Sequence, residues 1–301
     1  MKTVEILMST YNGSKTIERQ IISILNQKDV KVHITIRDDG SKDTTCKEIE
    51  RLIGVYRDSI TLIKGVNFGW KKSFIELIKL ARKADYYGFS DQDDYWLPEK
   101  LIMSIKLMEN DKSDGVKLAH VNSLCTNNKL EIQDEQQKRY DKPRNRKAVI
   151  AQEYFQGCSM LWNNEAMILL QSYTPKSDVA HDFWVGTVCY YLGTIYYCDT
   201  PLFYHIRYDN NSSCDGNVRA GRKKRIDMIK NDGIVYMNPA ADLISGYSDS
   251  LLKKDLRFLK EVVESKNNVI KRVKLILMPG FRRESIKSTC LFKIMILLGR
   301  Y

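Results

Sequence analysis

Over its first 120 residues the chain alternates short apolar runs with segments whose apolar residues recur at helical spacing, and the apolar runs end in polar loops. Residues 4–8 form a compact apolar run, after which Ile17, Ile21, Ile24 and Leu25 follow a helical period. Val32, Ile34 and Ile36 alternate as a strand does, and a polar helical pattern spans about 43–53. Ile60, Leu62 and Ile63 mark a third strand; Phe74, Leu77, Ile78 and Ala81 mark the next helix. Residues 86–90 read as a fourth strand, and Pro98, suited to a first helical turn, precedes Leu101, Ile105 and Met108. This alternation predicts an α/β fold with a doubly wound, mostly parallel, Rossmann-like sheet. Ligands of such sheets collect at the carboxyl ends of the strands, which directs attention to the loops there.

The loop after the first strand is Ser9-Thr10-Tyr11-Asn12-Gly13-Ser14-Lys15. It stands before a helix N-terminus, where backbone N–H groups favour an anion, but lacks the glycines and the Gly-Lys-Ser/Thr ending of a P-loop. Ser14 as a simple helix cap explains it equally. The second loop, Arg37-Asp38-Asp39-Gly40-Ser41-Lys42-Asp43, offers two carboxylates able to accept hydrogen bonds from a base or ribose; a tight turn capped by Asp43 is the plainer account. The fourth, Ser90-Asp91-Gln92-Asp93-Asp94-Tyr95-Trp96, packs three carboxylates into four residues, and these repel unless a cation or donors neutralise them. Asp91 and Asp93, two apart, can aim at one point, and such oxygen ligands suit Mg²⁺ or Mn²⁺. A solvated acidic helix start fits less well, because Tyr-Trp follows directly. Further on, His181-Asp182-Phe183-Trp184 opens a helix. Asp182 among aromatics reads either as a partly desolvated general base or as an N-cap with buried rings behind it.

Residues 126–147 are polar and read as a loop. From Phe155 the pattern turns mixed, with a strand over 158–162, helices from about Asn163 and Asp182, and strands over 194–197 and 202–204. Beyond about Ile226 it is helical, with Leu252, Leu256, Leu259 and Val263 as one stripe. The formal charge of +11 is uneven. Residues 1–217 hold 29 basic and 29 acidic side chains, whereas 218–301 hold 19 and 8, so the whole excess lies in the tail. A basic tail points to lipid headgroups, nucleic acid or an acidic partner, or to solvated Lys-rich helices. The apolar run 291–298 is shorter than the roughly 20 residues of a spanning helix. Seven cysteines, an odd number without a CxxC, suggest a reduced, cytoplasmic chain, and residues 1–8 lack the apolar core of a signal peptide.

The ordered set Ser-Thr-Tyr-Asn-Gly (9–13), Arg-Asp-Asp-Gly-Ser (37–41), Asn67-Phe68-Gly69, Ser-Asp-Gln-Asp-Asp-Tyr-Trp (90–96), Gly157-Cys158-Ser159 and His-Asp-Phe-Trp (181–184) resembles glycosyltransferase family 2, in particular its bacterial rhamnosyltransferase-like branch serving capsule and cell-wall polysaccharides. The resemblance covers roughly residues 3–213. It implies a GT-A catalytic domain over 1–217, with a nucleotide-sugar half to about 120 and an acceptor half over 121–217, followed by a basic helical extension over 218–301. It also implies a nucleotide-diphosphate sugar donor met by Thr10, Tyr11, Asn12, Asp38 and Asp39 and bordered by Asn67 and Gly69. Asp91 and Asp93 would hold Mg²⁺ or Mn²⁺ on the diphosphate, Gly157, Cys158, Ser159, Trp96 and Trp184 would line the acceptor side, and Asp182 would be the base of an inverting transfer. The acceptor would be a growing glycan or a lipid-linked sugar at the inner face of a bacterial membrane; the basic tail and the apolar run 291–298, not the resemblance, add an anionic membrane surface to the expected partners, with no nucleic acid among them. Two other readings remain: a nucleotidyltransferase, for which residues 10–15 make a poor loop, and a non-catalytic relative, against which Asp91, Asp93 and Asp182 argue.

One departure from the pattern stands out. Many members close the catalytic core with Tyr-Arg-Gln-His, whose His reaches the metal, and an Asn three residues on. Here the stretch is Tyr204-His205-Ile206-Arg207-Tyr208-Asp209-Asn210, which puts Arg207 at that place. A guanidinium has no lone pair for a cation but suits a diphosphate, so Arg207 is expected to weaken metal dependence. The alternatives are His205 as the ligand, or an Arg207 that is merely on the surface.

Overall fold

The structure, a computed structural model, describes residues 1–134, 145–207 and 237–301. The chain forms two compact units, one of residues 1–141, 155–174 and 180–207, the other of 142–154, 175–179 and 208–301. Segments 142–154 and 175–179, which the sequence reading leaves in the first domain, thus go with the C-terminal unit.

The first unit is built on a nine-stranded sheet. Its first part is the expected alternation: β1 (Lys2–Thr10), α1 (Ile17–Leu25), β2 (Val30–Asp38), α2 (Thr45–Val55), β3 (Ile60–Lys64), α3 (Trp70–Leu80) and β4 (Tyr86–Ser90). Then come β5 (Tyr95–Trp96), α4 (Lys100–Glu109), β6 (Val116–Thr126), β7 (Ile132–Asp134), β8 (Met160–Asn163), α6 (Asn164–Ser172), α7 (His181–Leu192) and β9 (Gly193–Ile206); α5 (Arg146–Ala151) belongs to the other unit. The order across the sheet is β3-β2-β1-β4-β8-β6-β9-β5, with β7 on β6. Strands β3, β2, β1 and β4 are mutually parallel, as helical crossovers require. Strand β8 then joins antiparallel between β4 and β6.

Alternation along the strands assigns the two faces. Val4, Ile6 and Met8 of β1 with Ile34 and Ile36 of β2 pack against Ile17, Ile21 and Ile24 of α1, Ile49 and Leu52 of α2, and Leu101, Ile105 and Met108 of α4. Leu7 and Phe89 serve the other face, where Phe74 of α3 meets Phe89 edge-on at 5.3 Å. Buried on both faces, β1 reads as a nearly continuous apolar run; its buried Glu5 is satisfied by the Thr35 hydroxyl at 2.5 Å and by His33 Nδ1 at 2.8 Å.

Several expectations need correction. Strand β6, partner of both β8 and β9, is not anticipated at all, although residues 117–123 are buried throughout. The two strands expected over 194–204 are one, β9, whose pairing with β6 shifts register around Asn122. The polar Asp199-Thr200 and the donorless Pro201 lie at that irregularity. The stretch expected as a loop over 126–147 contains β7 and the start of α5; its residues 135–144 lie outside the described residues. The strand expected from 158 begins at Met160, after a single 3₁₀ turn over Gly157–Ser159.

In the second unit α5 is joined by α8 (Met237–Tyr247), α9 (Lys253–Glu264), α10 (Val269–Leu277) and α11 (Ile286–Leu297). The buried face of α9 is Asp255, Phe258, Leu259 and Val262, so of the expected stripe Leu259 is buried, Leu256 and Val263 are half-buried, and Leu252 is exposed. The buried Asp255 carboxylate takes the Arg146 guanidinium at 2.8 Å, which permits an acid on an apolar face. Residues 218–236 of the basic tail, and Cys214, lie outside the described residues.

The β6–β9 contact yields a test. A Cβ on Gly193 would stand 2.2 Å from the Val116 carbonyl oxygen, so Gly193→Ala should destabilise the protein by about 1–3 kcal/mol through forced backbone movement. Gly54, exposed in α2 with nothing within 4 Å, should gain up to about 1 kcal/mol on changing to Ala. Urea unfolding of both variants checks the pair; an unchanged midpoint for Gly193→Ala would speak against the register of β6 and β9.

Candidate active site

The three loops singled out in sequence come together at the carboxyl ends of β1, β2 and β4. The first two are laced by hydrogen bonds: Asn12 N–H donates to Ser41 Oγ at 2.9 Å, Lys42 N–H to Asn12 Oδ1 at 2.8 Å, and Gly13 N–H to Thr45 Oγ1 at 2.8 Å. Asn12 adopts φ 49°, a conformation Asn tolerates better than most residues. Gln92 does the same work between the first and fourth loops. Its Oε1 accepts the Thr10 hydroxyl at 2.5 Å and Tyr11 N–H at 3.0 Å, and its Nε2 donates to Tyr11 O at 3.2 Å. The sequence reading passed over Gln92, since nothing in its spacing reveals a contact 81 residues back.

The two carboxylates after β2 differ in use. Asp39 is fully engaged: Oδ1 accepts Arg37 at 2.5 Å and Phe68 N–H at 2.8 Å, and Oδ2 accepts Gly69 N–H at 2.9 Å. It therefore shapes the Asn67–Gly69 loop. Arg37, equally buried, adds Val66 O at 3.0 Å and Ser73 Oγ at 3.1 Å and lies 4.5 Å from the Phe68 ring centre. Asp38 instead turns Oδ2 to Gly40 and Ser41 N–H and leaves a buried Oδ1 without a hydrogen bond. An unsatisfied buried acceptor is costly, so Asp38 Oδ1 is the atom of this pair open to a ligand donor. Tyr11 is half exposed beside it in the first loop.

After β4 the charge is densest. Burial, then the Asp94 charge, push the Asp91 and Asp93 carboxyls up to about 7, and Asp182 contributes to Asp91. Asp94 is 1% exposed and accepts His205 Nδ1 at 2.9 Å on Oδ1, while its Oδ2 is buried without a hydrogen bond. Burial opposes a charged His205 ring, but the Asp94 charge and hydrogen bond outweigh it and raise His205 to about 9. One further basic group stands here, unforeseen: Lys100 is wholly buried, its Nζ 3.5 Å from the Trp96 ring centre, and burial draws its pKa down to about 7.

These residues can be tested as a cation site. Half-buried carboxylates that resist ionising together, with one orphaned oxygen beside them, match what a hard divalent ion neutralises. Asp94, Cys158 and His205 also offer ligand atoms within 4.8 Å of one another. Burial holds the Cys158 thiol well above its usual range, however, and a His205 ring protonated to about 9 has no lone pair to give. The oxygen set thus fits Mg²⁺ or Mn²⁺ better than the mixed one.

Asp182 opens α7 half buried, with its Oδ1 taking Phe183 N–H at 2.8 Å. His181 before it is buried, stacked on Phe74 at 3.9 Å and met edge-on by Trp70 at 5.6 Å; burial lowers it to about 4. Gly157 closes this side: a Cβ there would stand 2.6 Å from His181 Nε2 and 3.5 Å from Asp182 Cβ. Ser159 is buried and bonds Gln156 O at 2.7 Å. Two expected acceptor-side rings need correction, for Trp96 and Trp184 are each 1% exposed, inside the core. On β5 the alternation turns Trp96 inward, while Tyr95 takes the other face and stacks on Tyr204 at 5.9 Å. Half-exposed Trp70, absent from the sequence reading, is the aromatic ring that borders both Gly69 and His181. Arg207 follows β9, with its N–H on Thr126 O at 2.8 Å; residues 208–210 of that stretch lie outside the described residues.

Comparison with known proteins bears on this geometry. The family model described as glycosyl transferase family 2 matches residues 5–169. The chain is 44% identical over 98 residues to the dTDP-rhamnosyl transferase RfbG of Shigella flexneri, which is 31% of this chain and 34% of that protein. It is 32% identical over 114 residues to the UDP-Glc:alpha-D-GlcNAc-diphosphoundecaprenol beta-1,3-glucosyltransferase WfaP of Escherichia coli, 37% of this chain and 43% of that one. The matches therefore span about a third to two fifths of these relatives. Among solved structures, TarS of S. aureus (residues 1–349, in complex with UDP) superposes with a TM-score of 0.57 at 17% identity, covering 87% of this chain and 70% of that one, a likeness of GT-A fold. With more than half of its length matched by the family model, the chain belongs to glycosyl transferase family 2.

Proposed function

We propose that the protein transfers a sugar from a nucleotide-diphosphate donor to a hydroxyl of a growing surface glycan or lipid-linked acceptor, with inversion at the anomeric carbon. The observation that carries this reading is the gathering of Asp91, Asp93 and Asp94 at the carboxyl end of β4, beside the Thr10–Tyr11 loop and close enough to Asp182 to sense its charge. The names of the relatives favour a dTDP-rhamnose or a UDP-sugar donor, RfbG supporting the first, WfaP and TarS the second.

In this mechanism Asp38 Oδ1 accepts from the base or ribose, and Tyr11 and Asn12 border the nucleoside. Asn67 and Gly69, held by Asp39, flank the donor sugar. Asp182 accepts the proton of the acceptor hydroxyl as its oxygen attacks the anomeric carbon from the face opposite the diphosphate; the bond to the diphosphate oxygen breaks and its electron pair leaves with the nucleotide. Asp91 and Asp93 would hold Mg²⁺ or Mn²⁺, which supplies charge neutralisation of the leaving diphosphate. Arg207 adds bidentate hydrogen bonds to the same group. Gly157 lets the backbone lie against the His181 ring that precedes Asp182.

Asp182→Asn is expected to keep donor binding and lose at least about 100-fold in transfer, the lower range of general-base catalysis. Calorimetric donor titration beside a transfer assay checks this, and near-normal transfer removes Asp182 from the mechanism.

A second prediction concerns pH. Asp91 and Asp93, raised to about 7, hold protons at pH 6 and release them by pH 8. A divalent cation binds the ionised pair, so its affinity should rise across that window, by about tenfold per pH unit for each proton displaced below 7. Mn²⁺ titration at pH 6, 7 and 8 reads this directly, and a flat profile removes the carboxyl pair as the site.

A third separates Arg207 from His205. Transfer during EDTA titration should persist in part for the wild type and fall further for Arg207→Ala. If EDTA abolishes wild-type transfer and Arg207→Ala changes nothing, Arg207 has no share in the leaving group; if His205→Ala alone raises the metal requirement, His205 takes the ligand role.

A further inference from the structure

The last two helices of the second unit expose an apolar surface that nothing described covers. In α10, Val269, Ile270, Val273 and Leu277 are 61%, 81%, 43% and 75% exposed. At 3.6 residues per turn these positions fall within about 100° of one another, and buried Leu275 points away from them. In α11 the pattern repeats: Ile286, Ile294 and Leu297 are 83%, 54% and 50% exposed on one face, while Phe292, Met295 and Ile296 are buried on the other. The two helices pack on each other, with Arg272 Nη1 donating to Leu297 O at 3.3 Å. Isolated exposed aliphatics mean little, but an exposed apolar stripe on each of two helices that pack together marks a contact surface.

Charge identifies the partner. Residues 265–301 carry nine Lys and Arg and a single acid, Glu284. A second copy of the chain would bring two such clusters together and be repelled, and nucleic acid would satisfy the cations while leaving the aliphatic faces in water. A bilayer with anionic headgroups satisfies both at once, with the aliphatic side chains below the headgroups and exposed Lys266, Arg282 and Lys287 among the phosphates. Neither helix, at 9 and 12 residues, is long enough to cross a membrane, and among the described residues no helix is.

We propose that α10 and α11 form an in-plane anchor that seats the second unit on an anionic membrane surface, whichever sugar the enzyme moves. The test uses the full chain with vesicles of phosphatidylcholine alone and of phosphatidylcholine mixed with phosphatidylglycerol, read by flotation. The wild type should float with the mixed vesicles, less with the neutral ones, and less as salt rises. Ile270→Ser with Leu277→Ser, and separately Ile294→Ser with Leu297→Ser, should each weaken binding at least about tenfold, because these side chains lose their place in the apolar phase. Both pairs are exposed, so circular dichroism and the unfolding midpoint should not move. Failure to float with mixed vesicles, or flotation unaffected by both pairs, overturns the proposal. So does a dimer in light scattering that either pair abolishes, which would assign the face to a second copy.

Discussion

The accumulation of negative charge at the carboxyl ends of β2 and β4 is the constraint around which the first unit is arranged. Asp38, Asp39, Asp91, Asp93 and Asp94 gather there, and like charges at such spacing are unstable without counter-charge. The fold answers with three basic side chains from different elements: Arg37 against Asp39, half-buried His205 against Asp94, and wholly buried Lys100 over the Trp96 ring. Arg37 also reaches Val66 O and Ser73 Oγ, so the electrostatic answer is partly a structural one. The Asp94–His205 pair in particular ties the loop after β4 to the end of β9, 111 residues later. What is left unneutralised, the raised pair Asp91 and Asp93 and the bare Asp38 Oδ1, is where a charged ligand gains most.

The fold of the N-terminal half was legible because its strands are parallel and buried, and its helices carry their apolar residues at a clean period. Ile17, Ile21 and Ile24 name their own face, and so do Phe74, Leu77 and Ile78. Strand β6 was missed for a physical reason. His120, Asn122 and Ser123 lie in it buried, and buried polar side chains erase both the apolar run and the alternation on which reading a strand depends. The stripe assigned to α9 was incomplete for a similar reason: a buried Asp255 partnered by Arg146 cannot be told in sequence from an exposed acid.

The candidate site was legible as loops and motif residues, not as contacts. Short polar segments after strands announce themselves through position alone, and the resemblance ordered them. Which carboxylate is engaged and which open was not accessible, because Asp38 and Asp39 are adjacent and chemically the same; the placing of Arg37 and of Phe68 and Gly69 N–H on Asp39 separates them. Gln92 was invisible because its partners, Thr10 and Tyr11, lie across the fold, and Lys100 because nothing in its spacing shows that it is buried over Trp96. Trp96 and Trp184 show the reverse error, in which proximity to a motif was taken for access to it; both are core side chains.

The side of the site formed by α7 shows how a neutral group can matter as much as a charged one. His181 directly precedes Asp182, the proposed base, and a protonated ring at that place would draw the carboxylate into an ion pair and compete with an incoming hydroxyl. Burial between Phe74, Phe89 and Trp70 lowers its pKa to about 4, so at neutral pH the ring is uncharged and acts as a packed aromatic block. Gly157 then fits against that block because no side chain could: the Cβ it lacks would meet His181 Nε2 at 2.6 Å. The ring is thus held by packing on one side and by the glycine's bare backbone on the other. That orients the first turn of α7, and with it Asp182, without any charged neighbour on the same turn. The acidic loop after β4 is organised by ion pairs and the start of α7 by their exclusion, which keeps a proton acceptor and a cation-seeking carboxyl pair distinct although one senses the other's charge.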